Sequence, residues 1–288
     1  MAQDQSSVSS LHRAVQILRA LAAGAADGGQ RVSDLARDLG FTQATTHRLL
    51  QQLVDEGLVE QTAHKKRYAL SVDFFALAAR AGEAGGLREH CRPALLRLGA
   101  SLGDSVFLLV RAGFDAMCLD RWEGPFPIRS FTGDIGGRVP LGVGQGSLAI
   151  LAHLPEAERD EVMRYNVPRI RHLGALDEVF LRTEVAKVRA QGFANTNSGL
   201  IEGMAGVAVP VFDANGQVVA ALSIGTLTAR LEGERLPVVV DLLQRAARAL
   251  ASQINPFDRT LRRPADSLGG ASARALPIDG TSPPGAAP

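Results

Sequence analysis

Cysteine is nearly missing from this 288-residue chain. Cys91 and Cys118 are the only two, too few for a disulfide framework and without the ligand set that zinc would need. Both are expected to be buried thiols. No uninterrupted apolar run approaches the ~20 residues of a membrane span, and no N-terminal stretch has the length of a signal peptide. A soluble, cytoplasmic protein is therefore expected. An excess of one charge is lacking too: the formal net charge is +1, which excludes neither nucleic acid nor small acids, because the location of charge matters more than its sum. Catalytic signatures are equally scarce. There is no GxSxG, HExxH, GKS or GKT, and Gly142, Gly144 and Gly146 are spaced GxGxG, without the dinucleotide spacing GxGxxG. The six His residues lie far apart in sequence. Asp120, Arg121 and Glu123 beside Trp122 read as solvated strand-end charges rather than a catalytic acid pair. No enzyme, metal or cofactor is expected.

What the chain does have is room for two domains, with 46% hydrophobic residues to give each its own core. The informative stretch runs from Val32 to Leu70. Leu35, Ala36 and Leu39 recur at helical spacing after a possible Ser33 cap, and Gly40 stops that helix. Thr42 offers a hydroxyl to the start of a second helix, in which Leu49, Leu50, Leu53 and Val54 face inward before the Gly57 break. The opposite side carries Gln43, Thr45, Arg48, Gln51, Gln52 and Asp55, flanked by Thr46 and His47. Short polar groups with one Arg suit the floor of a DNA major groove. A hairpin follows, with His64, Lys65, Lys66 and Arg67 at its tip, placed to meet phosphate. Over residues 1 to 80, nine Lys and Arg face eight Asp and Glu, so the positive character is confined to that tip. Two helices joined by a glycine turn also occur in proteins that never touch DNA, which leaves a non-DNA ligand-binding module, or an enzyme, as the alternative.

In order along the chain, residues 1 to 7 read as disordered. A helix capped by Ser9 or Ser10 completes a winged helix-turn-helix unit over residues 8 to 70. Residues 71 to 86 read as a linker helix, residues 87 to 256 as a mainly antiparallel α+β domain, and the Pro-, Gly-, Ser- and Ala-rich residues 257 to 288 as a disordered tail. Within the larger domain, helices are expected over Leu87 to Leu102, Gln145 to Ala152, Glu156 to Arg164, Glu178 to Gln191 and Pro237 to Ser252. A hairpin is expected around Gly113 to Asp115, a strand near Ile128 to Phe131, and a second hairpin at ANG, where Asn215 and Gly216 would supply positive φ.

The succession LARDLG, TTHRLLQQLVDEGLVE, RYAL, RVPLGVGQGSLAILAHLP and GVAVPVFDANGQVVAALSIG resembles the IclR family of transcriptional regulators, in the same order and at similar spacing from about Val8 to Ile254. The resemblance implies a winged helix-turn-helix, a linker helix and a GAF-like effector domain with a curved antiparallel sheet. It also implies dimers, or dimers of dimers, on palindromic double-stranded operator DNA. By position, the operator-contacting segment falls on Gln43, Ala44, Thr45, Thr46, His47 and Arg48, with Lys65, Lys66 and Arg67 in the wing. The effector positions fall on Arg129, Thr132, Gly144, Gln145, Gly146, Ser147, Thr196, Gly206, Ser223 and Gly225. The chain departs from the usual PLHAT run with PLGVGQGSLA, and has Thr196 and Gly206 where many members have Asp and Cys. Free N–H groups at a helix start and Arg129 would favour a carboxylate. Gly142, Gly144 and Gly206 would leave volume for an aromatic acid, or else serve turn geometry and tight packing alone. The function expected is a DNA-binding regulator controlled by a small organic acid.

Overall fold

The computed structural model describes residues 9–24, 28–62, 66–81, 86–125, 128, 132, 134–173, 176–195, 201–252 and 254, with the backbone alone at 75 and 78–81. The flanking segments expected to be disordered, 1 to 7 and 257 to 288, lie outside these residues. So do most of the strand expected at 128 to 131 and the site residues Lys65, Arg129 and Thr196. The chain divides into two compact units between residues 83 and 84.

The first unit begins with α1 (Ser10–Ala23), capped by Ser9, whose hydroxyl accepts from the N–H of His12. A two-residue strand, β1 (Gln30–Arg31), leads straight into α2 (Val32–Leu39). Ser33 is therefore not the cap: it lies inside α2, and Arg31 stands at the cap without a side-chain bond. Pairing of β1 with Arg67 and Tyr68 delivers the chain to the helix too early for Ser33 to act. Gly40 ends α2 at φ 67°, a left-handed conformation that costs glycine little. Thr42 then caps α3 (Gln43–Asp55), accepting from the N–H of Thr45 at 3.2 Å. The wing is β2 (Val59–Thr62) and β3 (Arg67–Leu70), and the sheet order is β1-β3-β2. Ile17, Leu21, Leu35, Leu49, Leu50, Leu53, Val59 and Tyr68 make one small core. Each such side chain contributes roughly 1.5–3 kcal/mol by leaving water. Next comes α4 (Val72–Ala81), which leaves Val72 and Leu77 exposed.

The second unit opens with α5 (Leu87–Leu102) and the hairpin of β4 (Ser105–Ala112) and β5 (Asp115–Trp122). There follow β6 (Arg138–Pro140), α6 (Gln145–His153), α7 (Glu156–Ile170) and α8 (Glu178–Gln191). A long hairpin, β7 (Met204–Phe212) and β8 (Val218–Leu227), and then α9 (Arg235–Ala251) complete it. All pairings of the sheet β6-β5-β4-β8-β7 are antiparallel. Alternation along the strands sends Phe107, Leu109, Cys118, Ala208 and Ala221 to a core shared with α6, α7 and α8. The intervening Val106, Leu108, Val207, Val209, Leu222 and Ile224 face a second core with α5 and α9. Both cysteines are fully buried thiols, pushed up to about 12 chiefly by burial.

The β7–β8 turn corrects one detail. Gly216 alone takes a positive φ, 74°, whereas Asn215 does not. The turn is held by Asp213, whose carboxylate accepts from the backbone N–H groups of Asn215 and Gln217, both at 2.9 Å.

Candidate functional site

Gln43, Ala44, His47 and Arg48 line an exposed face of α3, with Thr45 half-buried at its edge. The Thr42 hydroxyl both caps the helix and donates to Thr45 Oγ1 at 2.9 Å. No described residue accepts from the hydroxyl of Thr45, which is left to donate outward. Two neighbours belong elsewhere. Thr46 is fully buried and donates to the carbonyl of Thr42 at 3.0 Å, so the expectation that it touches DNA is corrected. Helical geometry places it on the Leu49–Leu50 side, one step from the reading face. Gln51, read from the sequence as part of that face, instead donates to the Tyr68 hydroxyl at 3.4 Å and ties α3 to the wing.

In the wing, Lys66 is exposed and holds φ 49°, the sole positive value among described non-glycine residues. Arg67 has another task. Its Nη1 donates to the carbonyl of Gly29 at 2.6 Å, strapping β3 to the segment before β1, so it is a structural tie rather than a free phosphate contact. Of the residues expected to contact DNA, five on α3 and Lys66 in the wing are thus left exposed or half-buried without an internal role of this kind.

Of the expected effector positions, Gln145, Gly206, Ser223 and Gly225 come together on the sheet face beneath α6. Gly206 pairs with Gly225, and Ser223 lies opposite Ala208 on one side and Phe107 on the other. Five residues of three adjacent strands therefore point the same way, and four of them are glycine, alanine or serine. Gln145, the first residue of α6, lies over Gly206: a Cβ there would stand 2.9 Å from Gln145 Oε1. Ile128 covers Gly225, where a Cβ would stand 2.5 Å from its Cδ1. Gly144, at φ 78°, turns the chain into α6. Ser147 departs from expectation. It is buried and its hydroxyl accepts from Gly142 N at 3.2 Å while donating to Val143 O at 2.5 Å, so it shapes the glycine loop instead of offering itself to a ligand. Gly146 is likewise a packing residue, because a Cβ would fall 2.7 Å from Leu109 Cδ1. Thr132 is buried, with its carbonyl against Gly137. Phe107, Ala208 and Ile128 carry no signal in the sequence, since strand alternation alone does not say which strands lie side by side.

Comparison with known proteins agrees with this geometry. The IclR helix-turn-helix domain matches residues 10–63, and the bacterial transcriptional regulator IclR C-terminal domain matches residues 81–252. The HTH-type transcriptional regulator BhcR of Paracoccus denitrificans is 27% identical, across 88% of this chain and 90% of its own. The probable transcriptional regulator SauR of Cupriavidus necator is 30% identical, across 82% and 92%. An IclR homologue from Microbacterium hydrocarbonoxydans, solved in complex with 4-hydroxybenzoate, superposes with a TM-score of 0.66 at 25% identity, across 85% and 98%. The two family models, which together span most of the chain, define a DNA-binding transcriptional regulator and not an enzyme. Within that class, the chain belongs to the IclR family.

Proposed function

We propose that a homodimer or homotetramer in the cytoplasm reads an operator with α3 and its wing, and that a small organic acid on the floor beneath α6 sets operator affinity. Gln43, Ala44, Thr45, His47 and Arg48 would reach base edges, and Lys65 and Lys66 would meet phosphate. The observation carrying the effector half is the pairing of Gly206 with Gly225 beside Ser223 and Phe107. Small side chains there let the ends of Ile128, Phe107 and Gln145 lie directly on the strands, where a ligand that displaces Ile128 would meet an aromatic ring, with the α6 start and the Gln145 amide at one edge. That combination suits a flat acid, its ring on Phe107 and its carboxylate toward α6. The complex of the 25% identical homologue with 4-hydroxybenzoate supports the aromatic choice. Arg129 and Thr196 complete the proposed contacts.

Thermal-shift measurements with aromatic and two- to three-carbon acids test the reading. Stabilisation by aromatic acids, lost in Gly225→Ala, is expected, because the added methyl pushes Ile128 across the floor. Stabilisation by short acids alone would contradict it. Gly206→Ala is the poorer probe, since its Cβ would meet the backbone oxygen of Ile224 at 2.7 Å.

A further inference from the structure

Unbroken pleating would send Asp120 into the same core as Ala116 and Cys118. It does not go there. Leu109 opposes Cys118 but Leu108 opposes Asp120, so one extra residue of β5 forms a bulge and turns Asp120 to the opposite side, beneath α5. It is fully buried there, which corrects its reading as a solvated strand-end charge. Its Oδ1 accepts from Arg92 Nη1 at 2.7 Å and from the backbone N–H of Arg121 at 2.9 Å, with Arg88 Nη2 at 3.6 Å. Its Oδ2 is buried with no hydrogen-bond partner among the described residues. The arginine side chains are 46% and 55% exposed, so this is a grip that can loosen from the solvent side.

Two further observations say what the grip holds. Pro93 follows Arg92 inside α5 and cannot donate to the carbonyl of Glu89. The helix ladder is thus weakened where the gripped turns end, and those turns are the first helical residues after α4 in the chain. On the other side of β5, Arg121 lies opposite Phe107 of the effector floor and pairs with Glu123 and, at 3.7 Å, with Asp134. Gly136 donates to the carbonyl of Cys118 at 2.8 Å, and Cys118 donates to that of Gly137 at 3.0 Å. Residues 118–121 therefore carry the 134–137 loop along one edge and the start of α5 on one face.

We infer that Asp120 is a positioning residue that transmits the state of the effector floor to the first turns of α5, and so to the chain leading into the DNA-reading unit. The inference rests on the proposed effector floor. Two discrete arrangements follow: Asp120 closed on Arg92 and Arg88, or open with the pre-proline turns released.

A mutant cycle in the full chain, read by amide hydrogen exchange of residues 87–98, tests this without any ligand. Arg121→Gln loosens the loop side, and exchange at the start of α5 should rise about twofold or more, the lower range for coupled neighbours. In an Asp120→Asn background the same change should add nothing. Arg92→Lys serves as a second background should Asp120→Asn fold poorly. Equal acceleration in all backgrounds, or none in the parent chain, overturns the inference, because a merely structural Asp120 would leave the two effects additive. A parent chain stabilised by no acid overturns the effector proposal alone, and the exchange cycle still decides the role of Asp120.

Discussion

Thr42 shows how much one side chain settles. Its hydroxyl satisfies an orphan N–H of α3 and orients Thr45, so Thr42→Ala should cost about 1 kcal/mol in urea unfolding and also weaken DNA binding. Lys66 offers the opposite case. A left-handed lysine is strained by about 1 kcal/mol, so Lys66→Gly should leave stability equal or higher. It should nonetheless weaken binding to every duplex and lower the log–log salt slope by roughly 0.9, for one phosphate no longer neutralised. Gly99 permits a close approach of α5 to the sheet. A Cβ would fall 2.2 Å from the Trp122 ring, so Gly99→Ala should lower stability by about 1–3 kcal/mol.

His153 supplies a pH test at the same scale. Burial, and then Arg189, hold it below its ordinary 6.5, while a bond to the Ala149 carbonyl opposes them. The unfolded chain therefore takes up this proton first as pH falls. Stability should be full above 6.5 and decline below it until the depressed folded value is passed. Urea midpoints from roughly pH 7.5 down to about 5 should show that decline, and His153→Gln should reduce it. A decline of equal size in the variant would assign it to other groups.

At the scale of elements, α3 is legible in the sequence because cap, apolar stripe and terminating glycine agree with one another. The same agreement makes α8 readable at both ends, whereas α5 has no capping side chain and is marked by its apolar stripe and Gly103. Strands β1 and β6, of two and three residues, are too short to show alternation and exist only through their partners. The bulge of β5 leaves no mark either, for nothing in the run AMCLDRW singles out Leu119 as the extra residue. For the sites, residue types point to α3 and to the glycines, but burial sorts them. Thr46, Gln51, Arg67 and Ser147 have binding chemistry and spend it internally. The helix-turn-helix unit has a core small enough that truncating the fully buried Leu50 to Ala should cost about 2–5 kcal/mol. Circular dichroism melting should then show that unit unfolding first, with the second unit unaffected.

For the whole molecule, the claim is that one helical face chooses the sequence while a separate sheet senses an acid. An acid can shift operator affinity only by as much as its own affinity differs between the DNA-competent and incompetent arrangements. Base reading and phosphate contact should separate cleanly in mutants. The most direct measurement is in vitro selection from a random duplex library, run with the parent chain, with Gln43, His47 and Arg48 all changed to Ala, and with Lys66→Gly. The parent and Lys66→Gly chains should enrich the same two-half-site sequence, the latter at weaker affinity, whereas the triple variant should lose that sequence. Enrichment of an unchanged sequence by the triple variant, or of none by the parent chain, would contradict the account.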